Sequence, residues 1–337
     1  MLAFLPAPSS RESVALAIQQ AGTTMRLRRF AVPLLTIVVT AASAHAVERY
    51  DGPIIDMHLH SYGDDYWGGR THPSGQPSPS TAREHRQQTR AQMDRHRIEL
   101  AVVAGSLKSI EEYGAADPRF IRGLAFSGEL PPLEEFERLI RTGQVQVFGE
   151  IGSAYYGMTL NDPLFTPYLE LCERYDIPVA YHTGGAPRQV HRVRPEFRLA
   201  LGDPFLIEDV IVRHPRLRLY LMHAGEVYFE HTVRLMKMFP DLYADLGVLL
   251  WADPLPQSYA VDFLKRAQTA DLLDRVMFGT DQMVWPGAIG ASIDFLNGLE
   301  FLTRQEKADI FYNNARHFLK LEVPSTRRPT AAGHSPP

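Results

Sequence analysis

Eight short apolar runs recur between residues 54 and 278, and an amphipathic stretch follows nearly every one. The runs cover 54–58, 100–104, 121–126, 145–148, 178–181, 217–222, 242–244 and 275–278. Most are continuous rather than alternating, which is the pattern of strands buried on both faces. The stretches 81–96, 133–142, 164–175, 205–214, 227–239 and 258–272 carry apolar residues at helical spacing. A shorter one, 109–119, follows the second run, and 289–302 with 304–319 closes the chain. Strands alternating with helices require a parallel sheet, and eight such units predict an α/β fold closed into a (β/α)8 TIM barrel. The alternative is an open doubly wound sheet, but no Gly-rich phosphate loop follows the first run.

Composition adds limits. The 337 residues are 45% hydrophobic and 22% charged, as in a globular chain. A net charge of −4 gives no general attraction to nucleic acid or to anionic membrane. A single cysteine, Cys172, excludes an intrachain disulfide, and its helical spacing from Leu169 and Tyr175 predicts an inert buried thiol. From Met25 the chain reads as a secretory leader: Arg26, Arg28 and Arg29, then apolar 31–42, then Ala44-His45-Ala46. Three parts are therefore expected: an extension 1–46 with the signal at 25–46 and cleavage after Ala46, a barrel 47–322, and a Pro/Ser/Arg-rich disordered tail 323–337. The mature protein would work in the periplasm or outside the cell, with no stable membrane anchor.

In a barrel of this kind the chemistry sits where strands end. The first run ends in Asp56-Met57-His58-Leu59-His60. Strand alternation puts His58 and His60 on one face, about 7 Å apart along it. Two converging imidazoles suit a borderline cation such as zinc. The fifth run leads to His182, the sixth to His223, the fourth to Glu150, and the eighth is followed by Asp281. Each of these alone reads more simply as a hydrogen-bonded core residue. Their joint arrival at one barrel mouth predicts a metal site.

The stretches IIDMHLH, GEIG, VAYHTGG, LYLMHAG and MFGTDQ, in this order, resemble the amidohydrolase superfamily. They are most similar to its amidohydrolase-related branch of decarboxylases and lactonases, which includes 2-amino-3-carboxymuconate-semialdehyde decarboxylase. Residues 204–217 and Tyr312-Asn313-Asn314-Ala315-Arg316 fit the same branch. The resemblance covers roughly 52–320. It implies His58, His60 and His182 as ligands of a divalent metal, and Asp281 as a ligand that also moves protons. It implies His223 as either a second-site ligand or a free histidine that polarises substrate. Glu150 departs from the decarboxylase pattern. Gly149-Glu150-Ile151-Gly152 looks instead like the magnesium-dependent deoxyribonuclease branch, where the glutamate bridges two metals. One ion is expected, two if Glu150 points inward; otherwise Glu150 is a carboxylate holding a ligand histidine.

Such a metal, zinc before others, would acidify a bound water toward a pKa of roughly 7. That supports hydrolysis of an amide, ester or lactone. A mononuclear decarboxylase is the alternative, and a phosphodiesterase or nuclease the third reading. Trp67, Trp251 and Trp285 follow the first, seventh and eighth runs. With Tyr62, Tyr66, Arg70 and His72 they predict an aromatic wall, and Arg188 is the candidate for a substrate anion. Trp67 and Trp285 are the aromatic candidates for substrate contact. The expected partner is a small carboxylated molecule, and a homodimer is the default assembly.

Overall fold

The eight strands hydrogen-bond in chain order, and every neighbouring pair is parallel. They are β1 (Ile54–His60), β2 (Ile98–Gly105), β3 (Phe120–Phe126), β4 (Val147–Ile151), β5 (Val179–His182), β6 (Leu219–Met222), β7 (Leu242–Asp245) and β8 (Val276–Met277). The computed structural model describes residues 48–71, 76–252 and 254–322. The leader expected at 25–46, the tail 323–337 and His72 lie outside the described residues. Two bonds bring β1 back against the end of β8. Met57 N donates to Phe278 O at 2.9 Å, and Asp281 N donates to His58 O at 2.6 Å. The ring of strands is thereby closed, as the eight alternating units require.

Helices α1 (Ala82–His96), α2 (Leu107–Ala116), α3 (Leu133–Arg141), α4 (Thr166–Tyr175), α5 (Glu208–Arg213), α6 (Phe229–Met238), α7 (Pro254–Thr269) and α8 (Ala288–Gly298) follow β1 to β8 in turn. The short 109–119 stretch is a full helix. It starts earlier than expected because Ser106 caps it, its hydroxyl accepting from Ser109 N. The helix expected at 258–272 begins at Pro254, since a proline in the first turn forfeits no helical bond. The one expected at 205–214 is split: Asp203 caps a tight 3-10 turn, Pro204–Ile207, before α5. The terminal helix is α9 (Arg304–Ala308), a π turn at Asp309–Asn313, and α10 (Asn314–Phe318).

Outward-facing strand residues pack on the helices, as where Phe148 of β4 meets Phe136 of α3 at 5.0 Å between ring centroids. Inward-facing residues, among them Ile55, Met57, Val147 and Met277, pack with Phe318 of α10. Phe318 lies 5.5 Å from the Tyr220 ring and 4.8 Å from that of Tyr243, so α10 closes the barrel floor. Cys172 is fully buried in α4, and burial pushes its thiol far up, consistent with an inert core residue.

Candidate metal centre

Simple alternation does not carry His58 and His60 into the barrel. Ile55 and Met57 already point inward, which would send His58 out. The β1–β2 register slips between Asp56 and Leu59, so one extra residue of β1 faces β2. This bulge flips the parity and turns both histidines to the inside. The β3–β4 and β4–β5 registers slip in the same way before Ile151, where Glu150 is turned to the interior. His182 ends β5 on the face of Ala180, and Asp245 ends β7 on the face of Tyr243.

The expected residues converge on two groups that share Glu150. In the first, Glu150 Oε2 lies 3.6 Å from His58 Nε2 and 3.5 Å from His60 Nε2. Asp281 Oδ1 completes it, 2.8 Å from His60 Nε2 and 3.8 Å from His58 Nε2. In the second, Glu150 Oε1 lies 2.6 Å from His182 Nδ1 and 3.7 Å from His223 Nε2, with those nitrogens 3.0 Å apart. The donor atoms of His58, His60 and Glu150 fit one cation, and those of Glu150, His182 and His223 fit another.

Protonation geometry tests whether such ions belong here. A carbonyl can only accept, so the ring nitrogen facing it must carry the hydrogen. His182 Nε2 donates to Gly185 O at 2.9 Å, and His223 Nδ1 donates to Gly247 O at 3.0 Å. His58 Nδ1 donates to the Asp245 carboxylate at 3.1 Å. The remaining nitrogens, His182 Nδ1, His223 Nε2 and His58 Nε2, therefore turn lone pairs toward carboxylate oxygens. Only a proton or a cation can sit between such atoms. His58 Nε2 and Asp281 Oδ1 are buried without a hydrogen-bond partner, and the 2.8 Å approach of His60 to Asp281 is sidelong rather than a bond. Burial disfavours charge on His58, yet Asp245 and Asp281 outweigh it and hold its pKa well above the usual range. Burial likewise favours a neutral Glu150, but the hydrogen bond with His182 and the close approach of His223 and His58 hold it well below the carboxylate range. A nitrogen and oxygen set of this spacing and negative charge fits divalent metal ions.

Four supporting residues escaped the sequence reading. Asp245, fully buried, also accepts from His223 N and Gly247 N, both at 2.9 Å, and so orients two imidazoles at once. Asp56 accepts from His58 N (3.0 Å), Thr280 N (3.0 Å) and Thr280 Oγ1 (2.7 Å); burial still pushes it up to about 7. Gln282 grips His60 like a neighbouring strand: its Oε1 accepts from His60 N at 2.9 Å and its Nε2 donates to His60 O at 3.1 Å. A signal for Asp245 was present, since it follows an apolar run as Asp281 does. For Gln282 there was none.

The three tryptophans meet beside the first group. Trp285 stands 6.0 Å from Trp67 and 5.9 Å from Trp251, all edge-on, and Trp67 stands 6.3 Å from Tyr62. Tyr62 stacks on His60 at 6.1 Å, so the aromatic wall reaches the ligand set. Arg70 covers Trp67 at 5.1 Å. Across the mouth Tyr155 lies 5.1 Å from His182. Arg188 is exposed in the loop after β5, and no contact ties it to the cluster.

Several solved structures share this architecture at low sequence identity. An uncharacterized TIM-barrel protein of Bordetella bronchiseptica is 20% identical, with a TM-score of 0.61 over 80% of this chain and 99% of that one. A probable 2-pyrone-4,6-dicarboxylic acid hydrolase of Acinetobacter baumannii is 13% identical, TM-score 0.54, over 80% and 100%. A 5-carboxyvanillate decarboxylase of Novosphingobium aromaticivorans, solved with bound manganese, is 13% identical, TM-score 0.54, over 81% and 100%. None of the curated proteins matches the chain. The model of the amidohydrolase family, in contrast, matches residues 55–321, which takes in β1 from its second residue, every strand from β2 to β8 and each residue of both ligand groups. By that match the chain belongs to the amidohydrolase family.

Proposed function

We propose that the protein is a hydrolase that holds two divalent ions, zinc before others, on either side of Glu150 and cleaves an ester, lactone or amide of a small carboxylated substrate. One observation carries the reading: the two oxygens of Glu150 are divided between two ligand groups. A mononuclear site needs no carboxylate there. Bound in these groups, the ions would supply Lewis acidity toward water and a carbonyl oxygen. Asp281, whose Oδ1 has no hydrogen-bond partner, takes the proton of the attacking water and returns it to the leaving group. His223 acts as a ligand of the second group, because Gly247 O holds one nitrogen and the other faces Glu150. Trp67, Trp285 and Tyr62 exclude water and offer ring faces to a planar substrate, in keeping with the carboxylated rings in the names of two structural neighbours. Arg188, exposed beside the mouth, would meet an arriving carboxylate.

Metal analysis of protein reconstituted with zinc or manganese tests this, joined to a panel of lactones, esters, amides and carboxylated aromatics. The expected result is two equivalents per chain, falling to one or none in Glu150→Gln, with turnover on a carbonyl substrate. One equivalent in the unaltered protein, with release of CO2, would transfer the protein to the decarboxylases.

Export is proposed as well. Cleavage after Ala46 would leave intact the first described residue, Glu48, whose carbonyl accepts from the buried Lys307 at 2.7 Å. Among the described residues no helix is long and apolar enough to cross a membrane. N-terminal sequencing of protein recovered from the periplasm checks the cleavage point, and light scattering checks the expected homodimer.

A further inference from the structure

Beyond β6 the backbone adopts a conformation that side chains normally avoid. His223, Ala224, Gly225 and Glu226 have φ of 63°, 48°, 82° and 47°, and Glu226 has ψ of −116°. Such a run persists only where its surroundings force it, and strain of this kind gathers at working sites. What the turn delivers is the side chain of Glu226. Its Oε2 accepts from Gly185 N at 2.5 Å, in the loop after β5. Two glycines open the slot: a Cβ on Gly184 would stand 2.6 Å from Glu226 Cβ, and one on Gly185 would stand 2.6 Å from Oε2. Gly185 in turn presents its carbonyl to His182 Nε2 at 2.9 Å. The path from Glu226 to a ligand histidine is thus two hydrogen bonds through one residue. It serves His182 as Asp245 serves His58.

We propose that Glu226 is a positioning residue for His182, fixing Gly185 so that its carbonyl holds the Nε2–H tautomer and turns Nδ1 toward Glu150. The assignment to a second ion rests on the two-ion reading; the effect on His182 does not.

Two variants approach the contact from opposite sides. Glu226→Ala removes the carboxylate. Gly185→Ala expels it, because its new Cβ meets only the far end of a flexible side chain. In metal-free protein, the His182 Nε2–H resonance, followed by imidazole 15N–1H NMR, should move upfield and exchange faster in both. In reconstituted protein the dissociation constant of one ion should rise about tenfold, the lower end for loss of an outer ligand partner, while that of the other stays unchanged. Glu226→Gln keeps an acceptor and should recover most of both effects. An unmoved resonance in Glu226→Ala overturns the proposal. So does a uniform loss of both ions together with a fall in Tm, which would make Glu226 a fold-holding residue only. If the unaltered protein takes one ion yet the resonance moves, the positioning role stands and the two-ion reading falls.

Discussion

Gly247→Ala should damage the metal centre with little harm to the barrel. A Cβ there would stand 2.3 Å from His58 Nδ1, 3.0 Å from His58 Cε1 and 3.1 Å from Asp245 Oδ1. Ordinary contact starts at 3.4 Å, so the ring must retreat by 3.4 − 2.3 = 1.1 Å. It has little room to retreat into, since His58 is buried at 1% exposure with the His223 and His60 rings 5.0 and 5.6 Å away. Metal ligands tolerate roughly 0.2 Å of displacement, and disturbing the partner of a ligand histidine costs about 10- to 100-fold in affinity. The expectation for Gly247→Ala is therefore weaker binding of the ion shared by His58 and His60 by about 100-fold. Overpacking should cost a further 1–3 kcal/mol or so of stability, lowering Tm by about 2–12 °C in a domain of this size. Gly298→Ala is the control: it ends α8, is exposed and meets nothing within 4 Å, so it should leave affinity intact. Competition against a chromophoric chelator reads the affinity, and calorimetry the Tm. Undiminished affinity in Gly247→Ala would refute the claim that His58 works from its present place.

Acid should destabilise the protein through His85, which is nearly fully buried between Tyr113 OH and Met283 O, both at 2.8 Å. Burial lowers its pKa from 6.5 to about 4, so on acidification the unfolded chain takes the proton first. Nothing changes above pH 6.5, and about 3 kcal/mol is lost as pH falls from there to about 4. Urea titrations at pH 7 and 4.5 should show a smaller difference in His85→Gln, and an equal difference counts against this account. Asp245→Asn keeps the shape but not the charge that holds His58 and His223; chelator competition should show metal binding weakened by about 10- to 100-fold. Trp67→Ala opens the wall without touching a ligand. It should leave metal content unchanged and raise KM by about tenfold with a smaller change in kcat, and a lost ion in that variant would contradict the assignment.

The barrel was legible because its signals are local and repeated. Each apolar run and each helix announces itself within a dozen residues, and errors stayed local, such as the start of α2, expected at 109 and found after the cap Ser106. The positions of His182 and Asp281 followed from strand ends alone. For His58 and His60 the sequence argument was incomplete. Alternation makes the two share a face but cannot say which face, and the bulge that turns them inward is set by pairing with β2, more than forty residues away. Glu150 stayed undecided for the same reason: its direction depends on register slips against β3 and β5. Gln282 and Thr280 were illegible because their work is to bond β1 across the seam, a contact that exists only once the ring has closed.

That seam explains why so much polar chemistry tolerates burial here. Asp56, Asp245 and Asp281 are all at most 3% exposed, and an isolated carboxylate so placed would be driven to its neutral form. Asp56 escapes in part through three donors, two of them from Thr280, and Asp245 is held by two backbone N–H groups and His58. Asp281 Oδ1 and His58 Nε2 have no such relief, and both belong to the group around Glu150 Oε2. The barrel thus satisfies the carboxylates that hold its histidines and leaves unsatisfied two of the atoms that face the first group, His58 Nε2 and Asp281 Oδ1. A fold stabilised only for its own sake would bond both kinds alike. The division is the physical sign that the free energy withheld at the centre is reserved for a charge that the chain itself does not carry.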